Sequence, residues 1–286
     1  MPFFWAITAG CCSALAGVIS KQAEQRQCRP EAFSLLFLGT VTAVFAVTWT
    51  IIGGRWGQPQ LWLLAVIMGG LYLIVMRSMI PANQSFSPSL VWTIANVSLV
   101  IPVSLAPLLL HEYWRAMDWA IVATFAALLY TCWRSVNPCK KTSAVRQWSG
   151  LPALSAVFLG NGLLMFGYKL KETLWPDTGT APFALMIFSS GFFCELLLYF
   201  RSGGAVGIQS AEWKWGIFLG IATAAATLCL LGAVSLPAVV VFPVIQGIGL
   251  GGGILLIFML FRESLNVWKI ISGALAMTIL FLTFIR

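Results

Sequence analysis

Ten long apolar runs dominate the chain, at 2–20, 32–52, 61–79, 88–110, 117–133, 150–168, 181–200, 213–232, 237–261 and 266–285. Each comes close to the roughly 20 residues that an α-helix needs to cross the hydrocarbon core of a bilayer. Strands of a membrane barrel would alternate apolar and polar residues over about ten positions, and these runs are apolar throughout. The breaks between them carry turn and charge chemistry, from Lys21 to Glu31, Gly53 to Pro59, Pro81 to Pro88, His111 to Arg115, Arg134 to Gln147, Lys169 to Pro176, Arg201 to Glu212, Ser235 to Pro237 and Arg262 to Asn266. The expected fold is therefore an all-α integral membrane protein with ten transmembrane helices. Composition agrees: 9% of the 286 residues are charged, against roughly 25% in soluble domains, too few to cover a water-facing surface. The first run continues past Thr8 and Cys12 to Ser20, which reads as a first membrane helix and not as a cleaved signal peptide.

The formal net charge is +8. The Lys and Arg residues lie singly or in small groups in loops, with no basic stripe on a polar helix, so nucleic acid is not an expected partner. Such charges set orientation and meet anionic lipid. About twelve of the seventeen fall at the loops between helices 1–2, 3–4, 5–6, 7–8 and 9–10. The positive-inside tendency puts those loops in the cytoplasm and both termini outside. The expected setting is a multi-pass protein of the plasma (inner) membrane, monomer or homodimer, with the lipid bilayer and a small-molecule substrate as partners. The seven cysteines show no CxxC or Cys/His metal spacing, and no cofactor or metal is expected.

The two halves resemble one another. A shift of about 151 places Trp62 on Trp213, Gly69 on Gly220 and Glu112 on Glu263, and a shift of 150 places Gly10 on Gly160, Gly17 on Gly167 and Lys21 on Lys171. Residues 1–133 and 150–286 therefore read as two copies of a five-helix unit joined by a basic linker, 134–149. An odd number of helices per unit makes the copies insert in opposite orientations. That is the inverted repeat of secondary transporters, whose substrate site lies between the halves near the midplane.

Chemistry-bearing residues are few. The single histidine, His111, stands at a helix end beside Glu112, and no nucleophile elbow, phosphate loop or zinc spacing is present, so an enzyme is not expected. Glu195 is the one acid well inside an apolar run. An ionisable group at that depth is a coupling or cation-binding candidate; alternatively it reaches the interface near Arg201, about 9 Å along the helix. Trp92 and Asn96 share one face of the fourth run, and Phe242 and Gln246 repeat the spacing in the ninth. A ring beside an amide suits a small polar ligand, while an amide that only bonds a neighbouring helix is the plainer alternative. Asn161, Tyr72 and Trp5 are weaker candidates for the same wall. Pro243 and the glycines from 247 to 253 read as a packing face with a kink.

The segment 236–277, LPAVVVFPVIQGIGLGGGILLIFMLFRESLNVWKIISGALAM, resembles the end of a half of the drug/metabolite transporter (EamA-like) superfamily. Arg262-Glu263 stands where Gly-Glu is usual, Gly273 fits the following helix, and the first half has His111-Glu112 with Ala123 in place of that glycine. The resemblance spans nearly the whole chain. It implies a ten-helix inverted-repeat transporter with a central cavity between the halves, helices 5 and 10 being peripheral. The small multidrug-resistance relatives carry a glutamate in their first helix, and this chain has no acid between residues 2 and 20.

Together these readings give an expected function. It is a secondary transporter that moves a small polar metabolite by alternating access, with Trp92, Asn96, Gln246, Asn161, Tyr72 and Trp5 lining the site. Glu195 is the coupling group. An organic-cation (quaternary amine) or drug transporter, or a lipid-carrier flippase of the same fold, is the alternative within transport, and a membrane enzyme or scaffold is the alternative outside it.

Overall fold

The computed structural model describes residues 1–54, 57–86, 88–135, 144–201, 208–261 and 267–285. Every regular element among them is a helix: α1 (Pro2–Gln25), α2 (Pro30–Ile52), α3 (Pro59–Ser85), α4 (Pro88–Val97), α5 (Val100–Leu110), α6 (Ala116–Ser135), α7 (Ala144–Leu174), α8 (Thr180–Arg201), α9 (Ser210–Ala233), α10 (Ala238–Phe261) and α11 (Val267–Ile285). Six of them, α1, α2, α3, α7, α8 and α9, contain stretches long and apolar enough to cross a membrane, and shorter apolar stretches lie in the rest. The outer surface is apolar as well, with Leu63, Phe193, Leu197, Phe200, Met259 and Phe281 each more than 60% exposed. Exposed apolar side chains of this kind, on helices long enough to span a bilayer, are compatible with a multi-pass membrane protein.

The helices follow the apolar runs, but α1 continues through Lys21 to Gln25 and α3 through Pro81 to Ser85, past the expected ends at 20 and 79. Three further differences bear on the site. The run 88–110 divides into α4 and α5 at Ser98–Leu99. Pro102 explains the break: it has no N–H for the Ser98 carbonyl four residues back, and its ring crowds that carbonyl. The chain tightens instead, with Ile101 N–H bonding Ser98 O at 3.0 Å and Leu99 N–H bonding Asn96 O at 3.3 Å. Secondly, α7 starts at Ala144, inside the expected linker 134–149, of which 136–143 lie outside the described residues. Thirdly, α7 runs on to Leu174, so Lys169 and Lys171 are helical and buried rather than in a loop.

Packing joins the first part of the chain to the second. α1 lies against α9 and α10, α3 against α7 and α8, α2 against α8 and α9, α4 and α5 against α7, and α6 against α11. Two apolar cores result. One gathers Phe37, Phe45, Met68, Phe183 and Phe188, and the other Ala6, Val103, Ile121, Phe242 and Ile279. Close approach depends on glycine. A Cβ on Gly69 of α3 would collide with Ser190 Oγ and the Ile187 carbonyl of α8, and one on Gly220 of α9 would come within 2.6 Å of Thr40 Cβ on α2. The ends separate into two faces. Gly54 meets Pro182, which brings the α2–α3 and α7–α8 connections together on what we term the terminal face, the side of Pro2 and Ile285. Arg29 meets Glu212 on the opposite, basic face.

Candidate functional site

At the α4–α5 break the Leu99 N–H turns to Asn96 O, which leaves the Ala95 carbonyl to side-chain donors, and α7 supplies one of them. Asn161 Nδ2 donates to Ala95 O at 2.7 Å and to Ser98 Oγ at 2.8 Å, while Ser98 Oγ donates to Ala95 O at 2.5 Å. Asn161 thus serves, at least in part, the helix-to-helix role of the plainer alternative. Asn96, the next residue after Ala95, is 4% exposed. Trp92 lies one turn earlier on α4, its side chain outside the described residues.

Met165 stands one turn beyond Asn161 on the same face of α7. Gln246 of α10 is half-buried and reaches it, Nε2 to Met165 Sδ at 3.6 Å. A thioether is a weak acceptor, so among the described residues most of the bonding capacity of this amide is uncommitted. Asn161 and Gln246 are therefore brought to the same face of α7, with the α4–α5 break beside them. Tyr72 and Trp5 lie elsewhere. Tyr72 stacks on Phe37 at 6.0 Å and meets Phe188 edge-on at 5.1 Å, inside the α2–α3–α8 aromatic packing. Trp5 is 42% exposed and sits by Gly232 of α9.

Glu195 is fully buried at 0% exposure. Its partner is Arg77 of α3, with Arg77 Nε to Oε2 at 2.9 Å and Nη2 to Oε1 at 3.3 Å, and Ser34 of α2 donates to Oε1 at 2.6 Å. Glu195 thus pairs across helices with Arg77 and not with Arg201 of its own helix, because its face of α8 points at α2 and α3. A second cross-helix pair lies on the same face of the protein. Glu212 accepts from Arg29 Nε at 2.8 Å and Nη2 at 2.9 Å, and it also closes a capping box with Gln209 at the start of α9. These hydrogen bonds to Glu212 push the Arg29 pKa further up. Burial, then the charge of Glu212, raise the thiol pKa of neighbouring Cys28.

The third pair involves Glu112, a helix-end acid for which the sequence leaves open capping of the following helix or pairing with a nearby cation. Lys169 Nζ lies 2.6 Å from Glu112 Oε1, and Glu112 Oε2 accepts the Ala238 N–H at 2.9 Å, so Glu112 caps α10 and not the helix that follows it in sequence. The signal was present in the two lysines ending an apolar run, since a lysine at such a place must find an acceptor. His111 occupies a left-handed conformation, φ 56°, that ends α5. Glu263 lies outside the described residues. No group of three or more metal-ligating side chains occurs among the described residues.

No protein-family model matches the chain. No curated protein matches it. Among solved structures, the chain is similar to a crystal structure of a protein at 14% identity and a TM-score of 0.81, covering 99% of this chain and 98% of that one. At that identity the likeness describes the fold alone, and it describes it from end to end.

Proposed function

We propose that the chain is a secondary transporter of the drug/metabolite type. It moves a small polar metabolite by alternating access, through a path between two inverted five-helix repeats, about 1–133 and 150–286. The observation that carries this reading is the packing pattern. Exchanging α1 with α7, α2 with α8, α3 with α9, α4–α5 with α10 and α6 with α11 turns the α1–α9 contact into α7–α3, α1–α10 into α7–α4/α5, and α2–α9 into α8–α3. Each of these partners is itself a contact of the structure. Gly69 and Gly220, aligned by the sequence shift, serve equivalent contacts under the same exchange. Such a pattern is what two inverted copies produce.

The solute path runs beside α7. A broken helix at mid-depth, with amides on the facing helices, is how transporters of this architecture build a site. Here Asn96, Asn161 and Gln246 supply neutral donors and acceptors, which fits a polar solute better than a lipid tail. Among the described buried charges, Glu195, Glu212 and Lys169 are paired with an opposite charge on another element towards the two faces. Lys171 lies 3.3 Å from its neighbour Glu172, and Asp118 accepts the Arg115 N–H at the start of α6. In this reading Glu195 is the coupling group: a proton on its carboxylate would remove the charge that holds Arg77 and so loosen α8 from α3. The test is ligand-induced thermal shift of the purified protein across classes of small metabolite. A class that stabilises wild type but not Gln246→Ala supports the site, and a response unchanged in Asn96→Ala and Gln246→Ala removes it.

A further inference from the structure

Lys169 Nζ spends its protons on three acceptors: Glu112 Oε1 at 2.6 Å, Val234 O at 3.0 Å and Leu236 O at 2.8 Å. An ammonium has three protons to give, so the group is saturated. Val234 is the C-cap of α9, and end-of-helix carbonyls lack a donor from their own helix. The other oxygen of Glu112 holds the N–H of Ala238, the first residue of α10. One ion pair thus ties together four pieces of chain on the terminal face: the α5–α6 connection, α7, the end of α9 and the start of α10. Its side chains are 6% and 17% exposed.

The position of this clamp relative to the amides follows from helix geometry. Asn161, Met165 and Lys169 recur every fourth residue, so they share one face of α7, and about 12 Å of helix separates the first from the last. α10 runs the other way, and about 12 Å of it separates Ala238 from Gln246. The two helices carry amides at mid-depth and the clamp at the terminal face, with the Gln246–Met165 contact between. A solute leaving the amides towards the terminal face meets the clamp.

We propose that Lys169–Glu112 is the gate on the terminal face of the solute path, closed while paired and open when the pair separates; this rests on the transport reading above. A buried ion pair does not open by degrees. Either partner left alone in a low-dielectric site is strongly unfavourable, so separation requires water at both charges, which an opened terminal face supplies. The clamp therefore behaves as a two-position latch.

The experiment places a reporter below the clamp. Met165→Cys is labelled with a membrane-impermeant maleimide applied from the terminal side, and the peptide carrying position 165 is quantified. With the clamp intact, labelling is slow. Glu112→Gln keeps an acceptor for Ala238 and removes the charge, and Lys169→Met removes the other partner. Each raises the labelling rate by about tenfold or more, since loss of a buried partner exceeds the free energy of one factor of ten. Labelling of Cys28 on the basic face after permeabilisation stays unchanged, which separates gate opening from unfolding. Rates equal to the intact clamp in both variants overturn the gate. Labelling needs no solute, so a protein that transports nothing yet responds at position 165 loses the function and keeps the gate. Should the neutral variants not reach the membrane, Glu112→Cys with Lys169→Cys carries the test. Bridging the two thiols with a short bifunctional reagent must stop solute counterflow, and flux through the bridged protein overturns the gate.

Discussion

Asn161 braces the break between α4 and α5 from a neighbouring helix: its side-chain amide donates to the carbonyl of Ala95, in the last turn of α4, at 2.7 Å. In hydrocarbon a carbonyl without a donor is unfavourable by several kcal/mol, and Ser98 Oγ is its other partner here. Asn161→Ala leaves the break with one donor fewer. We expect a loss of about 1–2 kcal/mol in unfolding free energy in detergent, near the upper end for hydrogen bonds between membrane helices. A change within experimental error would mean that the break supports itself.

The same break responds to Pro102. Pro102→Ala restores the N–H that the Ser98 carbonyl lacks, and α4 and α5 are expected to join into one helix. Amide hydrogen exchange at Leu99 to Val103 slows if they join. Exchange as fast as in wild type would assign the break to tertiary packing.

Arg77 and Glu195 differ in exposure, 40% against 1% for the side chains, and the difference sets an asymmetry. Arg77→Met leaves a carboxylate buried beside one hydroxyl, a loss of about 3 kcal/mol or more. Glu195→Gln leaves a guanidinium that can reach water, and should lower stability by about 1 kcal/mol or less. The double variant recovers most of the loss of Arg77→Met. Equal losses in the two single variants, measured by thermal unfolding, contradict this ordering. The transport rate of Glu195→Gln is expected to lose the pH dependence of the wild type if protons drive the cycle; an unchanged profile leaves Glu195 a structural residue.

Glycines supply a graded test of the interlocked packing. Gly69→Ala and Gly220→Ala push a methyl into α8 and α2, and each is expected to cost about 1–3 kcal/mol through overpacking. Gly253 has no atom within 4 Å of a Cβ placed there, so Gly253→Ala leaves the melting temperature unchanged. Equal melting temperatures for all three would show that α3–α8 and α2–α9 are looser than described.

Much of the helical architecture was readable in sequence because nearly every helix falls on one unbroken apolar run. Pairings were not, for a physical reason: Arg77 finds Glu195 across 118 residues, Arg29 finds Glu212 across 183, and nothing local encodes either. Lys169 reads from sequence as the start of a loop, since charge usually ends an apolar run. Here the ammonium is saturated by carbonyls and a carboxylate, so the helix continues through it. Pro102 was visible, but a proline inside a membrane helix often only kinks it, and the turn at Ser98–Leu99 shows only in the backbone. Tyr72 and Trp5 are aromatics away from the obvious linkers, which says nothing of their direction, and packing takes Tyr72 into the α2–α3–α8 core. Asn161 and Gln246 do meet one face of α7, because polar groups in apolar helices must find partners or ligands.

Solute counterflow in proteoliposomes tests the central claim most directly, since exchange of labelled for unlabelled solute needs no knowledge of the coupling ion. Vesicles loaded with one small polar metabolite at a time are expected to take up its labelled form saturably for at least one class, with the flux reduced about tenfold in Gln246→Ala, the loss of a hydrogen-bonding group to the solute. Flux no faster than in protein-free vesicles for every class, or equal flux in wild type and Gln246→Ala, would contradict the account.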